Sequence, residues 1–289
     1  MKALICITTS NRSLAVKSFA WDYIAFCQNH PEYDFLISLD GNDKATIDFC
    51  ANHNIPLIYS QAREGVGLSK NRVLTSYPDY DHYFFIEDDV GLLDSSIFEH
   101  HIQAAKELGI HHMSLFPEER IHQQVKEIAL NNGQHVICAM FGGAPFNYFT
   151  RKGIEAVGGF HTCFAEYRRF GHTEHSYRFV NAGLAEYPFY IIKECLNGYL
   201  AWNDPISVTK IKANTINRLF VEEHDLIGQK LTHFPLTTLA PFKQPANIDI
   251  SNTKKPIFTR LYQLVFDAYM FALFIYRMLK EIKSTKHDK

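Results

Sequence analysis

The chain has 289 residues, 46% of them hydrophobic and 21% charged, which is enough apolar side chain for a buried core and excludes a disordered polymer. Its 29 basic and 31 acidic residues leave a formal net charge of −2, so no global positive field draws it onto nucleic acid and no nucleic-acid partner is expected. The six cysteines, at 6, 27, 50, 138, 163 and 195, form neither a Cys-x-x-Cys pair nor a compact disulfide framework and read as free thiols of a reducing compartment.

In chain order, MKALICITTSNR passes directly into a strand, with an apolar run too short for the core of a signal peptide, which points to a cytoplasmic protein. Short apolar runs at Ala3 to Thr8, Asp34 to Leu39, Pro56 to Tyr59 and Tyr83 to Ile86 alternate with helix-like stretches at Leu14 to Gln28, Lys44 to Asn52 and Gly67 to Ser76. This is the pattern of an α/β fold in which crossover helices join the strands of a mostly parallel sheet. Because runs such as FLISL and YFFI are apolar throughout, both sheet faces are expected to be covered by helices. Ligands of such sheets collect at the C-terminal ends of the strands. Polar residues do follow each strand: Thr8 to Arg12 the first, Asp40 to Asn42 the second, Glu87 to Asp89 the fourth.

Further along, a helix is predicted from Ser95 to Leu108 and a strand from His111 to Phe116. A polar helix is predicted over 118–131 and a strand over 135–141, with short helices over 151–157 and 173–182. The stretch 235–256, rich in Pro, Asn, Thr and Lys, reads as a linker. Residues 257–282 are strongly apolar but carry Arg260, Asp267 and Arg277, short of the ~20 clean apolar residues of a membrane span. With aromatics along it and a lysine-rich end, this stretch suits a helix lying on an anionic membrane surface. It equally suits a helix docked on its own domain or on a twin subunit. The expected organisation is a main α/β domain over 1–200, divided near residue 92, then a loop-rich extension over 201–256 and a C-terminal helix with a basic tail over 257–289.

Glu87, Asp88 and Asp89 place three carboxylates where a buried strand opens into a loop. Such a cluster repels itself unless it is solvated or neutralised, and hard divalent cations bridge one or two carboxylates to substrate phosphates. Asp89 is the expected metal contact, with Glu87 facing a ribose or a water; the plainer alternative is an acidic loop capping the next helix.

The order of CITTSNR, LISLDGN, REGVGLSKNRVL, FFIEDD, FGGAPFNYFTRKGIEAVGGF and HTEHSYRFVNAG resembles the GT-A glycosyltransferases, especially family 2 and its relatives, over roughly residues 1–200. The resemblance implies a GT-A fold and a nucleotide-sugar donor, a UDP-sugar ahead of GDP- or dTDP-sugars. It implies a divalent metal, Mn2+ or Mg2+, and inverting transfer to a hydroxyl of a glycan or glycolipid acceptor, as in bacterial surface polysaccharide synthesis. It places Thr8, Ser10, Arg12 and Asp40 at the base and ribose, and Arg63, Lys70 and Asn71 beside the nucleotide with Glu87 and Asp88. Asp89 would meet the metal, completed by a histidine such as His224, His233 or His172. Gly142 to Asn147 and Gly158 to Phe160 resemble the acceptor-side elements, where small residues would leave room for a sugar.

One departure is clear. Counting back from Arg178, the family's acidic pair falls on Gly171 and His172, and the nearest carboxylate is Glu174. Glu174 or His172 is therefore the candidate general base, and an i to i+4 pair of Glu174 with Arg178 is the structural alternative. Two other readings stand beside the transferase: a non-catalytic nucleotide- or glycan-binding module of the same fold, and a nucleotidyltransferase. The absence of glycine from TTSNR counts against the last.

Overall fold

The computed structural model describes residues 1–143, 145–164, 171–202, 229–256 and 259–285. The first half follows the predicted alternation: β1 (Ala3–Thr9), α1 (Ser13–Asn29), β2 (Tyr33–Leu39), α2 (Lys44–Asn52), β3 (Leu57–Ser60), α3 (Val66–Ser76) and β4 (His82–Glu87). β1 is buried at every position. Its alternate residues feed two separate cores, Ile5 and Ile7 packing with Trp21, Phe49 and Phe98, and Leu4 and Cys6 packing with Val73, Ile154 and Phe179. A strand covered on both faces has no polar side to alternate with, which explains its unbroken apolar run.

Next come β5 (Val90–Leu92), α4 (Ser96–Leu108), β6 (His112–Leu115), β7 (His122–Ala129), β8 (His135–Phe141), β9 (Phe146–Thr150), α5 (Arg151–Val157) and α6 (Gly171–Asn181). They are followed by β10 (Phe189–Ile192), β11 (Leu200–Trp202), β12 (Phe242–Lys243) and α7 (Thr259–Thr285). The central sheet has seven strands in the order β12-β3-β2-β1-β4-β9-β6. β3, β2, β1 and β4 are mutually parallel, whereas β9 runs antiparallel to both β4 and β6. Local signals close several helices: Asp43 accepts from the Thr46 amide at 3.1 Å to cap α2, and Gly109, at φ 66°, ends α4 in the left-handed conformation.

Two expectations are corrected. Residues 118–131 are not a helix. After one 3-10 turn at Glu118–Arg120 they form β7, paired antiparallel with β8 around a turn at Gly133. Ile121, Val125 and Ile128 happen to repeat at helical spacing. The alternation proper to a strand is broken by a bulge between Gln124 and Lys126, beside Gln123 at φ 54°. Nor is 235–256 a free linker, because it is bound through its backbone. Glu64 Oε1 accepts the Leu239 and Ala240 amides, Asn71 donates to Thr237 O, β12 pairs with β3, and Gln28 donates to the carbonyls of Ile250 and Thr253. Main-chain hydrogen bonds leave no trace in apolar periodicity.

Candidate active site

β1 lies between β2 and β4, and the chain's connections depart in opposite directions on its two sides. That topological switch point opens a crevice at the C-terminal strand ends. The crevice is a cleft of about 680 Å³ including its open mouth. Thr8, Ser10, Arg12, Asp40, Arg63, Glu87 and Asp88, all predicted to meet a nucleotide, line it together with Thr9, Val66 and Ser69. Thr8 Oγ1 donates to Ile86 O at 3.3 Å and Ser10 Oγ to Asp40 O at 3.0 Å, which fastens the end of β1 to both neighbours.

The acidic triplet and the loop after β1 form one unit. Asn11 is left-handed at φ 52°, and the next residue, Arg12, reaches the acidic loop after β4. Its Nη1 lies 2.9 Å from Asp88 Oδ1 and 3.0 Å from Asp89 Oδ2, while Thr9 Oγ1 donates to Asp88 Oδ2. Asp88 and Asp89 are buried and Arg12 is about a third exposed. One guanidinium thus bridges two buried carboxylates and offsets part of their charge. The carboxyl of Glu87 is raised to about 7 by enclosure and then by the charge of Asp89, with Lys70 opposing both.

Asp40, expected at the base and ribose, lines the cleft and also holds its wall. Its Oδ1 and Oδ2 accept the Glu64 and Gly65 amides at 2.7 and 2.8 Å, with Arg63 Nε and Arg72 Nη2 each 3.7 Å away. Gly65, the residue before α3, has φ 98° and allows this turn. Asp40 therefore fixes the cleft wall that carries Arg63. Lys70 and Asn71, expected at the nucleotide, lie beneath the cleft. Lys70 Nζ donates to Asn147 Oδ1 at 2.6 Å and faces the rings of Phe160 and Phe85, and burial lowers it to about 8. Asn71 accepts the Phe160 amide and donates to the carbonyls of Phe160 and Thr237. The basic spacing in GLSKNR gave no sign of which helix face was turned inward.

On the acceptor side, Glu174 and Arg178 form the i to i+4 pair, with side chains 2% and 0% exposed. Arg178 Nη2 donates to Glu174 Oε2 at 2.9 Å. Nε stands 2.7 Å from Oε1 at an angle too poor for a hydrogen bond, so it contributes charge alone. Burial raises the Glu174 carboxyl and Arg178 counteracts it. His172, on the first turn of α6, is half-buried, with Nε2 3.2 Å from Gly142 O. A carbonyl only accepts, so in this contact Nε2 is the donor, with Thr173 Oγ1 3.4 Å from the same nitrogen. His175 stacks on Phe160 at 4.2 Å with Nε2 3.0 Å from Gly158 O, a packing role.

The glycines here serve packing. A Cβ on Gly142 would come 2.3 Å from the Phe116 ring, and one on Gly158, at φ 74°, 1.8 Å from Phe234 O. They admit neighbouring rings and backbone, where room for a sugar was expected. His233 also lies against Gly158. His224 lies outside the described residues.

Among the described residues, no three His, Cys, Asp or Glu side chains are placed to share a metal ion. Asp88 and Asp89 nonetheless fit the smaller demand of an ion that keeps waters and takes its other ligands from substrate phosphates, since they converge on one cation already. Thr9 falls in the polar run Thr8 to Arg12 that follows the first strand, whereas Val66 and Ser69, at the start of α3, line the cleft without a signal in their local sequence.

No protein-family model and no curated protein matches the sequence. Solved structures do match. TarS 1–349 of S. aureus in complex with UDP aligns at a TM-score of 0.54 and 12% identity, over 80% of this chain and 65% of that one. Its complex with UDP-GlcNAc aligns at 0.52 and 12%, over 80% and 66%. Glucosyl-3-phosphoglycerate synthase from Mycobacterium tuberculosis, in complex with Mn2+, UDP and phosphoglyceric acid, aligns at 0.51 and 11%, over 81% and 79%. The chain thus spans about 65% of the length of TarS 1–349. The parallel β3-β2-β1-β4 core, the antiparallel β9 and the cleft at the strand ends, taken with these likenesses, make this a chain of the GT-A fold.

Proposed function

We propose that the chain is a glycosyltransferase that moves a sugar from a nucleotide-diphosphate sugar, a UDP-sugar in the first instance, to a hydroxyl of a glycan or glycolipid acceptor with inversion. The observation that carries the reading is the convergence of Arg12, Asp88 and Asp89 at the end of a cleft lined by Thr8, Ser10, Asp40 and Arg63. One end can take a polyanion and the other a nucleoside. Likeness to folds solved with UDP and UDP-GlcNAc supports it.

Arg12 presents its guanidinium to phosphate oxygens, for which its fork is suited. Asp88 and Asp89 would hold a divalent ion, Mn2+ or Mg2+, which when bound supplies Lewis-acid neutralisation of the departing diphosphate. Of the two candidate bases we favour His172. Glu174 is 2% exposed and committed to Arg178, so no acceptor hydroxyl reaches it without breaking a buried ion pair, whereas His172 is only half-buried on the first turn of α6 and meets the Gly142 carbonyl. The imidazole of His172 takes the hydroxyl proton as the acceptor oxygen bonds to the anomeric carbon. The bond from that carbon to the diphosphate oxygen breaks on the opposite face, which inverts the configuration.

The test is a thermal-shift panel of UDP, GDP, dTDP and CMP with and without Mn2+, followed by donor hydrolysis. A metal-dependent shift with one nucleotide, lost in Asp89→Ala, is expected; no shift with any of the four refutes the reading. The sequestration of Glu174 also favours a second reading, a binding module without turnover, which predicts tight nucleotide binding and no hydrolysis with any acceptor.

A further inference from the structure

Helix α7 meets the body along one short stripe and turns a second, apolar stripe outward. On the packed side, Phe266 lies edge-on to Phe19 of α1 with centroids 5.2 Å apart, in a cluster with Ala15 that Leu14 and Met270 join. The Tyr262 ring lies 5.7 Å from Lys17 Nζ, and Lys255 pairs with Asp22 at 3.4 Å. From Lys255 at Asp22 to Phe266 at Phe19, with Met270 joining the cluster of Leu14 and Ala15, the chain advances toward the N-terminal end of α1. The helices are antiparallel, and α7 continues from Met270 to Thr285 beyond the first turn of α1, the turn that follows the cleft residue Arg12.

On the outward side, Leu261, Leu264, Val265, Phe271 and Ile275 are 53, 65, 48, 66 and 37% exposed. With the exposed Ala268 and Ala272 they fall at i, i+3, i+4, i+7, i+10, i+11 and i+14, one continuous face about 21 Å long at 1.5 Å per residue. An exposed apolar stripe of this length marks a surface that something covers.

Charge indicates what covers it. Residues 254–289 hold eight Lys or Arg against three Asp or Glu, a net of +5, while the whole chain carries −2, so residues 1–253 carry −7. The basic residues stand at the two ends of the stripe in sequence, Lys254, Lys255 and Arg260 before it and Arg277, Lys280 and Lys283 after it. A second copy pairing helix to helix about a two-fold axis would set one +5 segment against another. No described helix is long and apolar enough to cross a membrane. We infer that α7 lies in the surface of an anionic lipid bilayer, its Leu, Val, Phe and Ile face in the acyl boundary and its basic ends at the headgroups. The inference stands apart from the transferase reading.

The test is sedimentation of the full chain with vesicles of phosphatidylglycerol and phosphatidylcholine, and with vesicles of phosphatidylcholine alone. The expected result is binding to the anionic vesicles, weakened by high salt. It should fall at least about tenfold in Leu264→Glu/Phe271→Glu, whose melting temperature should equal wild type because both side chains are already in solvent. No binding to anionic vesicles overturns the inference, as does equal binding to neutral ones or undiminished binding by the variant. A dimer that the variant dissociates, without vesicle binding, overturns it in favour of a second copy.

Discussion

Glu174 and Arg178 decide between a structural carboxylate and a catalytic one. Glu174→Ala leaves the guanidinium of Arg178, 0% exposed, with no opposing charge. Breaking a buried pair by removing one partner costs about 3–5 kcal/mol, against the ~0.3–0.5 kcal/mol of an exposed i to i+4 pair. At roughly 2–4 °C per kcal/mol for a domain of this size class, the melting temperature should drop by about 10 °C. Glu174→Leu/Arg178→Met removes both charges at similar volume and should recover most of the loss, since apolar replacements of buried pairs are commonly neutral or stabilising. His172→Ala should change stability by less than about 1 kcal/mol while lowering turnover roughly 10²–10⁴-fold, the usual weight of a positioned base. Urea denaturation of the three variants, with donor and acceptor turnover measured on each folded protein, separates the roles. The reasoning fails if Glu174→Ala keeps wild-type stability yet abolishes transfer, or if the double variant is no more stable than the single.

Gly158→Ala should destabilise by at least about 2 kcal/mol, because its Cβ would meet Phe234 O at 1.8 Å from a backbone at φ 74°; a chemical melt superimposable on wild type would refute the packing account. Arg12→Met removes the cation shared by Asp88 and Asp89, so the protein alone should melt lower and gain a larger stabilisation from Mn2+ titrated without nucleotide. A smaller Mn2+ response would show that Arg12 does not occupy the place of the ion. Burial lowers His101 and His112 from 6.5 to about 4, so between those pH values the unfolded chain binds more protons and stability must fall as pH falls. Each histidine contributes up to about 1.4 kcal/mol per pH unit, and His101→Met should flatten the denaturation-versus-pH slope by that amount; parallel slopes would exclude it. Asn71→Ala breaks the link between α3, Phe160 and Thr237 and should cost about 1–3 kcal/mol by calorimetry, with nucleotide affinity kept if Asn71 lies under the cleft as described.

The composition and apolar runs by themselves determined the α/β alternation, because strands buried on both faces must be apolar throughout and crossover helices must intervene between parallel neighbours. They also determined the polar strand ends, since Thr8, Ser10, Arg12, Asp40, Glu87 and Asp88 follow buried runs and parallel strands deliver their C-termini to one edge. Only the tertiary structure decided how those side chains are employed. Asp40 turns to the amides of residues 64 and 65, Lys70 and Asn71 face inward from a helix whose polar run SKNR does not show which face is buried, and Glu174 closes on Arg178. Each outcome depends on which partner is within about 3 Å, a long-range fact that local spacing does not encode. The same limit hid β7 and the bound segment 235–256, which are held by main-chain hydrogen bonds that any side-chain pattern can accommodate.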